Sequence, residues 1–146
     1  MCQSIVRLPG LIILASVIIL ISGCSKSASG PTSAEGKWTY TTPDGKMKVD
    51  FELIKTASGS LDIQNQAMKV DGTSYNSEKQ IAGVSLPTIA SIRINVNDAK
   101  AVYPYYIQFL NGKVSSDFNR IEVPDGEYSF PWGITVKLKS VSVTRP

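Results

Sequence analysis

The chain has 146 residues, 15 lysines and arginines against 12 acids for a formal charge of +3, and no histidine. The missing histidine excludes a Ser-His-Asp triad, a Cys-His pair and His-ligated zinc. The positive charges are scattered along the chain with no basic stripe, which excludes the usual footprint of a nucleic-acid binder.

In chain order, the first feature is the apolar run Leu11–Ile21, preceded by a single charge, Arg7, and followed by small residues. As a helix it would rise about 1.5 Å per residue, roughly 16 Å in all, about half of a bilayer core. A weakly basic start, a short apolar stretch and a small-residue processing site are the parts of a secretory signal peptide. The site itself is Ile21-Ser22-Gly23-Cys24. It resembles the lipobox of bacterial lipoproteins: an aliphatic residue, two small residues, then cysteine. The resemblance covers residues 1–24. It implies cleavage before Cys24, a diacylglyceryl thioether on that sulfur, and acylation of the new amine with a palmitate-type chain. Each buried methylene is worth about 0.8 kcal/mol, and one chain alone holds only marginally. Two or three chains anchor a protein durably, so lipid would replace the discarded signal segment 1–23. Cys2 lies in that segment, which leaves no intramolecular disulfide. Ser25 stands where many Gram-negative lipoproteins retained at the inner membrane have aspartate. The resemblance therefore implies the outer membrane, if the cell has one.

Residues 24–35 form a lipidated tether, and the run 25–35, "SKSASGPTSAE", is small and polar, as in a flexible linker. Residues 36–146 are expected to form one β domain, of a size that supports a modest core.

Strand patterns follow. Residues 46–54 alternate, with Met47, Val49, Phe51 and Leu53 on one face and Lys46, Lys48, Asp50 and Glu52 on the other. Residues 60–70 alternate with a phase shift near Asn65. Shorter alternations cover 91–97, 106–109 and 120–123, and 134–143 alternates with a slip near Lys139-Ser140, which predicts a bulge. Turn chemistry punctuates them: Pro-Asp-Gly at 43–45 and again at 124–126, Ser-Gly-Ser at 58–60, Asp-Gly-Thr at 71–73 and Asn-Gly-Lys at 111–113. One short helix is expected over 77–83, where Ser77 and Gln80 could form a capping box and Gly83 a stop. Residues 84–90, with Pro87, read as loop or edge. The fold class is all-β, a single antiparallel sandwich or small barrel of seven or eight strands.

The domain opens on Gly36-Lys37-Trp38. A Gly-x-Trp at the first strand resembles small lipocalin-like domains, in which the Trp plugs one end of a barrel and an Arg near the last strand packs on it. That resemblance implies the packing role for Arg145, and admits a carrier of a small apolar ligand.

Two constellations could carry chemistry. Asp50 and Glu52 share a strand face, the spacing of a carboxylate pair, but Lys46 and Lys48 stand beside them, as on a solvated, charge-balanced surface. Asp125 and Glu127 are too sparse for an oxygen-ligated calcium loop. The aromatic stretches Tyr103-Pro104-Tyr105-Tyr106 and Phe130-Pro131-Trp132 contain proline, which places them at edges or loops. Flat rings with polar tips suit protein contacts or sugar stacking, so Trp132, Tyr103 and Tyr106 are the binding candidates; in the competing reading they close the ends of the β core. The sequence thus points to a lipid-anchored cell-envelope protein acting as a non-catalytic binding or assembly module. Its partners would be the membrane, through the anchor, and an envelope protein or glycan. No cofactor or metal is expected. The alternatives are the lipocalin-like carrier and a carboxylate-based hydrolase.

Overall fold

The structure, a computed structural model, describes residues 30–130 and 133–146. The signal segment, Cys24 and Trp132 lie outside the described residues. The fold is all-β, with nine antiparallel strands: β1 (Gly36–Thr41), β2 (Met47–Lys55), β3 (Leu61–Val70), β4 (Thr73–Tyr75), β5 (Ser77–Ser85), β6 (Thr88–Val96), β7 (Tyr106–Val114), β8 (Arg120–Phe130) and β9 (Ile134–Thr144).

Their order in the sheet is β4-β3-β2-β1-β9-β8-β7-β6-β5. Successive strands are neighbours and the last long strand returns to the first, so the chain makes an up-and-down meander that curls into a nearly closed barrel. The ends of the sheet meet where β3 packs along β5. Side chains bridge that seam. The Gln66 amide donates to the Ser77 carbonyl (3.0 Å) and the Ser77 hydroxyl donates to the Gln66 carbonyl (3.2 Å). Lys79 donates to Asp62 (2.6 Å) and to the Ile63 carbonyl. The β1–β9 join is also thin, with one ladder pair, Thr39 with Thr144.

These bonds explain why residues 77–83 form a strand rather than the expected helix. A capping box offers one or two local hydrogen bonds. The ladder from β5 to β6 pairs Ser77 with Val96 through Ser85 with Thr88, and the seam adds its own bonds. Residues 84–90 likewise belong to β5 and β6, joined by a tight hairpin at the cis Leu86-Pro87 bond.

The barrel interior is filled by side chains. Met47, Val49, Phe51 and Leu53 of β2 all face inward, as the alternation predicts, and meet Trp38, Ile63, Met68, Ile94, Ile107, Phe109 and Ile121. The phase shift near Asn65 is a true bulge. The β2–β3 register slips by one residue between Asp50 and Glu52, and Asn65 takes a φ of 50°.

The slip near Ser140 has a different nature. Gly83, Ala90, Asn111, Pro124 and Ser140 lie opposite one another on β5 to β9, and the ladders skip that position in all four strand pairs. Gly83, Asn111 and Ser140 have φ values of 61°, 54° and 50°. The inward-facing set inverts across this line. Before it β7 buries Ile107 and Phe109, after it Gly112 and Val114; β8 changes from Ile121 and Val123 to Gly126 and Tyr128. The register stays constant through it, so no strand carries an extra residue. It is a crease running across five strands, not the one-sided bulge expected at Lys139-Ser140. It also absorbs two expected turns. Asn111-Gly112-Lys113 and Pro124-Asp125-Gly126 lie inside β7 and β8, which therefore run longer than the short alternations suggested.

Candidate functional site

The meander gives the barrel two ends. The chain enters at the proximal end, with the β2–β3, β5–β6 and β7–β8 hairpins. The turns at 42–46 and 71–72, the 97–105 loop, the end of β8 and the start of β9 form the distal end.

The proximal end is locked by Trp38. Its indole N–H donates to the Ala34 carbonyl at 3.0 Å, and the Arg145 guanidinium lies 4.6 Å from the ring centroid. Arg145 also donates to the carbonyls of Phe118 (2.7 Å) and Ser33 (2.6 Å). Gly36 is required beside it: its φ is 118°, and a Cβ there would come within 2.5 Å of the Arg145 Nη1. Packing against the barrel thus extends upstream of β1 to Ser33 and Ala34.

The distal end holds the aromatic candidates. Tyr105 points inward and is buried, Tyr75 packs on it with ring centroids 5.8 Å apart, and the half-buried Tyr103 meets it edge-on at 6.2 Å. Next in the chain, Tyr106 occupies the outer face. Ser129 joins this stretch to the end of β8: its hydroxyl accepts from the Tyr106 N–H at 2.7 Å and donates to the Pro104 carbonyl at 2.9 Å. The Tyr106 hydroxyl lies 3.4 Å from that of Thr135. The Tyr103–Tyr106 stretch is therefore tied to the end of β8 at Ser129 and lies beside Thr135 near the start of β9. Two of the most exposed large apolar side chains, Val102 (81% exposed) in the 97–105 loop and Ile134 (57%) at the start of β9, stand at this end.

On the outer face below them runs a polar band. Gln80, Arg93, Gln108, Glu127 and Lys137 are cross-strand neighbours, one per strand from β5 to β9. The Arg93 guanidinium stacks on Tyr106 at 4.1 Å from the ring centroid. It donates to Asn95 Oδ1 (2.8 Å) and Gln108 Oε1 (3.3 Å). Tyr106 donates to Glu127 at 2.9 Å, and Lys137 donates to the other Glu127 oxygen. Those hydrogen bonds, from Lys137 first and then Tyr106, hold the Glu127 carboxyl below its ordinary pKa. A groove of about 340 Å³ opens here between Glu78, Gln80, Arg93, Asn95, Pro104 and Tyr106. Sequence reading found Tyr106 but missed Arg93, Asn95 and Glu78. Their outward alternation marks a solvated face, and only the strand register brings them around one ring.

The carboxylate pairs carry surface contacts. Asp50 pairs with Lys48 at 3.1 Å, and Glu52 accepts from Asn65 (2.8 Å) and Gln64 (3.3 Å). Asp125 pairs with Lys139. Among the described residues no cluster of three or more His, Cys, Asp or Glu could hold a metal ion. A second groove, of about 610 Å³, lies over the crease between Lys113, Arg120, Pro124 and Ser140.

One ionisable group is deeply placed. Burial pushes the Tyr40 hydroxyl up to about 12, with Tyr128 and Asp44 adding to the effect, and this hydroxyl has no hydrogen-bond partner. Among the described residues no helix is long and apolar enough to cross a membrane. No protein-family model, curated protein or solved structure matches the chain.

Proposed function

We propose that this chain is a lipid-anchored cell-envelope protein, held by Cys24, that acts as a non-catalytic binding or assembly module through its distal end. The observation that carries the reading is the division of labour between the two barrel ends. The chain enters at the proximal end, where Ser33 and Ala34 are fastened to Arg145 and Trp38. Eight residues lie between Cys24 and Ser33, nine steps along the chain and a reach of about 30 Å at most. Val102, Tyr103 and Ile134 stand at the opposite end of the barrel from Ser33 and Ala34. Exposed aliphatic side chains beside half-buried tyrosines suit the centre of a protein or glycan contact.

Kinship with small lipocalin-like domains has support of its own. The up-and-down barrel and the stacking of Arg145 on Trp38 fit the geometry that the Gly36-Lys37-Trp38 resemblance implies. The carrier activity of such domains has less: the side chains of Trp38, Phe51, Ile94, Ile107 and Phe109 occupy the barrel interior. For the hydrolase alternative, Asp50 and Glu52 are engaged in surface pairs.

Two substitutions test the reading. Cys24→Ser should leave an unprocessed, unlipidated precursor, seen by mass spectrometry of the membrane fraction; a mature protein with another N-terminus would refute the anchor. Trp132→Ala should abolish capture of the partner from envelope extracts with little change in thermal midpoint. A large fall in midpoint would make the ring structural and end its role as a contact.

A further inference from the structure

We propose that the groove around Arg93 is a receptor for the carboxylate of an acidic saccharide. The inference rests on the reading of the chain as a binding module and supplies the chemical class of its ligand.

The first ground is the state of Arg93. Arg120 is paired with a carboxylate, and Arg145 is spent on two backbone carbonyls. Arg93 has neither. Its acceptors are neutral amide oxygens of Asn95 and Gln108, and no carboxylate lies within ion-pair distance among the described residues. Those bonds use two of its five N–H donors, leaving three. The side chain is half-buried and lies flat on Tyr106. A guanidinium held in a plane by stacking and two amides has lost most of its freedom before any ligand arrives. That preorganisation suits bidentate binding of a carboxylate.

The second ground is the rest of the groove. Its volume, about 340 Å³, lies at the low end of ligand sites, about 300–1,000 Å³. It therefore takes one or two small rings and not a folded segment. Asn95 and Gln80 offer amides, Pro104 and the Tyr106 edge offer apolar contact, and Glu78 offers an acceptor. Glu78 decides between ligand classes. A saccharide with one carboxylate brings its acid to Arg93 and hydroxyl donors to Glu78. An acidic peptide brings several carboxylates, which Glu78 and the nearby Glu127 repel. Placement agrees: the groove opens directly below the distal loops, since Pro104 and Tyr106 flank both.

The test uses the full chain in detergent, titrated with sodium glucuronate, with glucose and a short oligo-glutamate peptide as comparisons. NMR follows the Arg93 side-chain Nε and the Tyr106 amide. Glucuronate should give saturable shifts at both, with affinity at least about tenfold above glucose and above the peptide. Arg93→Gln should lower glucuronate affinity by about tenfold or more, one lost charge-assisted pair, with the thermal midpoint nearly unchanged. Glu78→Gln should tighten glucuronate several-fold, because it removes a like charge and keeps an acceptor. This second variant decides the matter if Arg93→Gln does not fold. Equal binding of glucose and glucuronate, or unchanged affinity in the folded variants, overturns the proposal. Tighter, Arg93-dependent binding of the peptide overturns the saccharide class. If glucuronate fails while Trp132→Ala still abolishes partner capture, this inference falls and the binding-module reading stands. If glucuronate binds through Arg93 while partner capture survives Trp132→Ala, the groove stands and the role of the loop tip falls.

Discussion

Two stretches of this chain carry the same tripeptide and do opposite things. Pro43-Asp44-Gly45 reverses the chain between β1 and β2, whereas Pro124-Asp125-Gly126 runs straight on inside β8. In the first, the Thr42 hydroxyl donates to Asp44 Oδ1 at 2.5 Å, the Lys46 N–H donates to the same oxygen, and Gly45 takes a φ of 71°. These are the bonds and the left-handed glycine of a tight turn. In the second, Pro124 sits on the crease opposite Ser140, where no N–H is needed, and Gly126 has crossed to the inner face. The same residues are chosen for conformation in one place and for space in the other. Further along β8 the Tyr128 hydroxyl donates to Asp44 Oδ2 of the first stretch at 3.2 Å.

The largest difference is expected at the glycines. A Cβ on Gly126 would stand 2.6 Å from the Gln108 carbonyl oxygen and 3.5 Å from Leu138. The carbonyl is backbone and cannot rotate aside. Gly126→Ala should therefore cost about 3 kcal/mol, the upper range of overpacking, read as a fall in denaturant midpoint. A cost under about 1 kcal/mol would show that β7 and β8 give way easily at the crease.

The aspartates come next. Burial disfavours charge on Asp44, but hydrogen bonds from Thr42, Lys46 and Tyr128 outweigh it, and its pKa is lowered. A lowered folded-state pKa adds stability that is present above the unfolded-state value, about 3.9, and is lost as pH falls through the folded one. Asp44→Ala should cost about 1.5 kcal/mol at pH 7, discounted for exposure, and should shrink the loss of stability in acid. Asp125→Ala removes only an exposed pair with Lys139 and should cost less than about 0.5 kcal/mol. Equal costs at the two sites would contradict the distinction between turn and strand.

How far the residues announce this fold depends on which bonds they need. The alternation of Met47, Val49, Phe51 and Leu53 depends on one barrel interior, and it is readable. Asn65 is readable as a break in phase. Asn111-Gly112 and Pro124-Asp125-Gly126 are misread as hairpins because left-handed φ and a missing N–H serve a crease as well as a turn. Only the next strand's position distinguishes them, and that is set by pairing across the sheet. Ser77–Gly83 is misread as a helix for the same reason: its decisive bonds go to Gln66, Asp62 and β6, none of them local. At the distal end the aromatic residues are readable by type. Arg93 is not, because its stacking on Tyr106 requires the β6–β7 register.

A smaller effect is expected at the glycine of the turn. A Cβ on Gly45 meets nothing within 4 Å, so space is no obstacle, but its φ of 71° is strained for any L side chain. Gly45→Ala should cost about 1 kcal/mol, the left-handed penalty alone. Gly45→Asn should recover most of it, because asparagine tolerates that region. Thermal midpoints of the three proteins give the ranking.

A small effect is also expected at Pro124, and it tests the crease itself. In the interior of a regular strand a proline would remove a ladder bond, so replacing it would restore one and stabilise the sheet. On the crease the ladder already skips this position on both sides, toward Asn111 and toward Ser140. An N–H supplied by alanine would find no strand partner there; the residue is exposed, so water would satisfy it. What Pro124→Ala does change is the unfolded chain, which gains the freedom that the ring withheld. The expected result is a loss of about 0.5 kcal/mol, within the range for a proline whose conformation suits its site. The amide hydrogen that the substitution introduces should exchange with solvent as fast as a loop amide, while those of Val123 and Asp125 stay slower. A gain in stability together with protection of that new amide would mean that β8 can close its ladder through this point, and that the proline alone makes the crease. The outcome expected here assigns the crease to the left-handed residues Gly83, Asn111 and Ser140, with Pro124 occupying a position they had already taken out of the sheet.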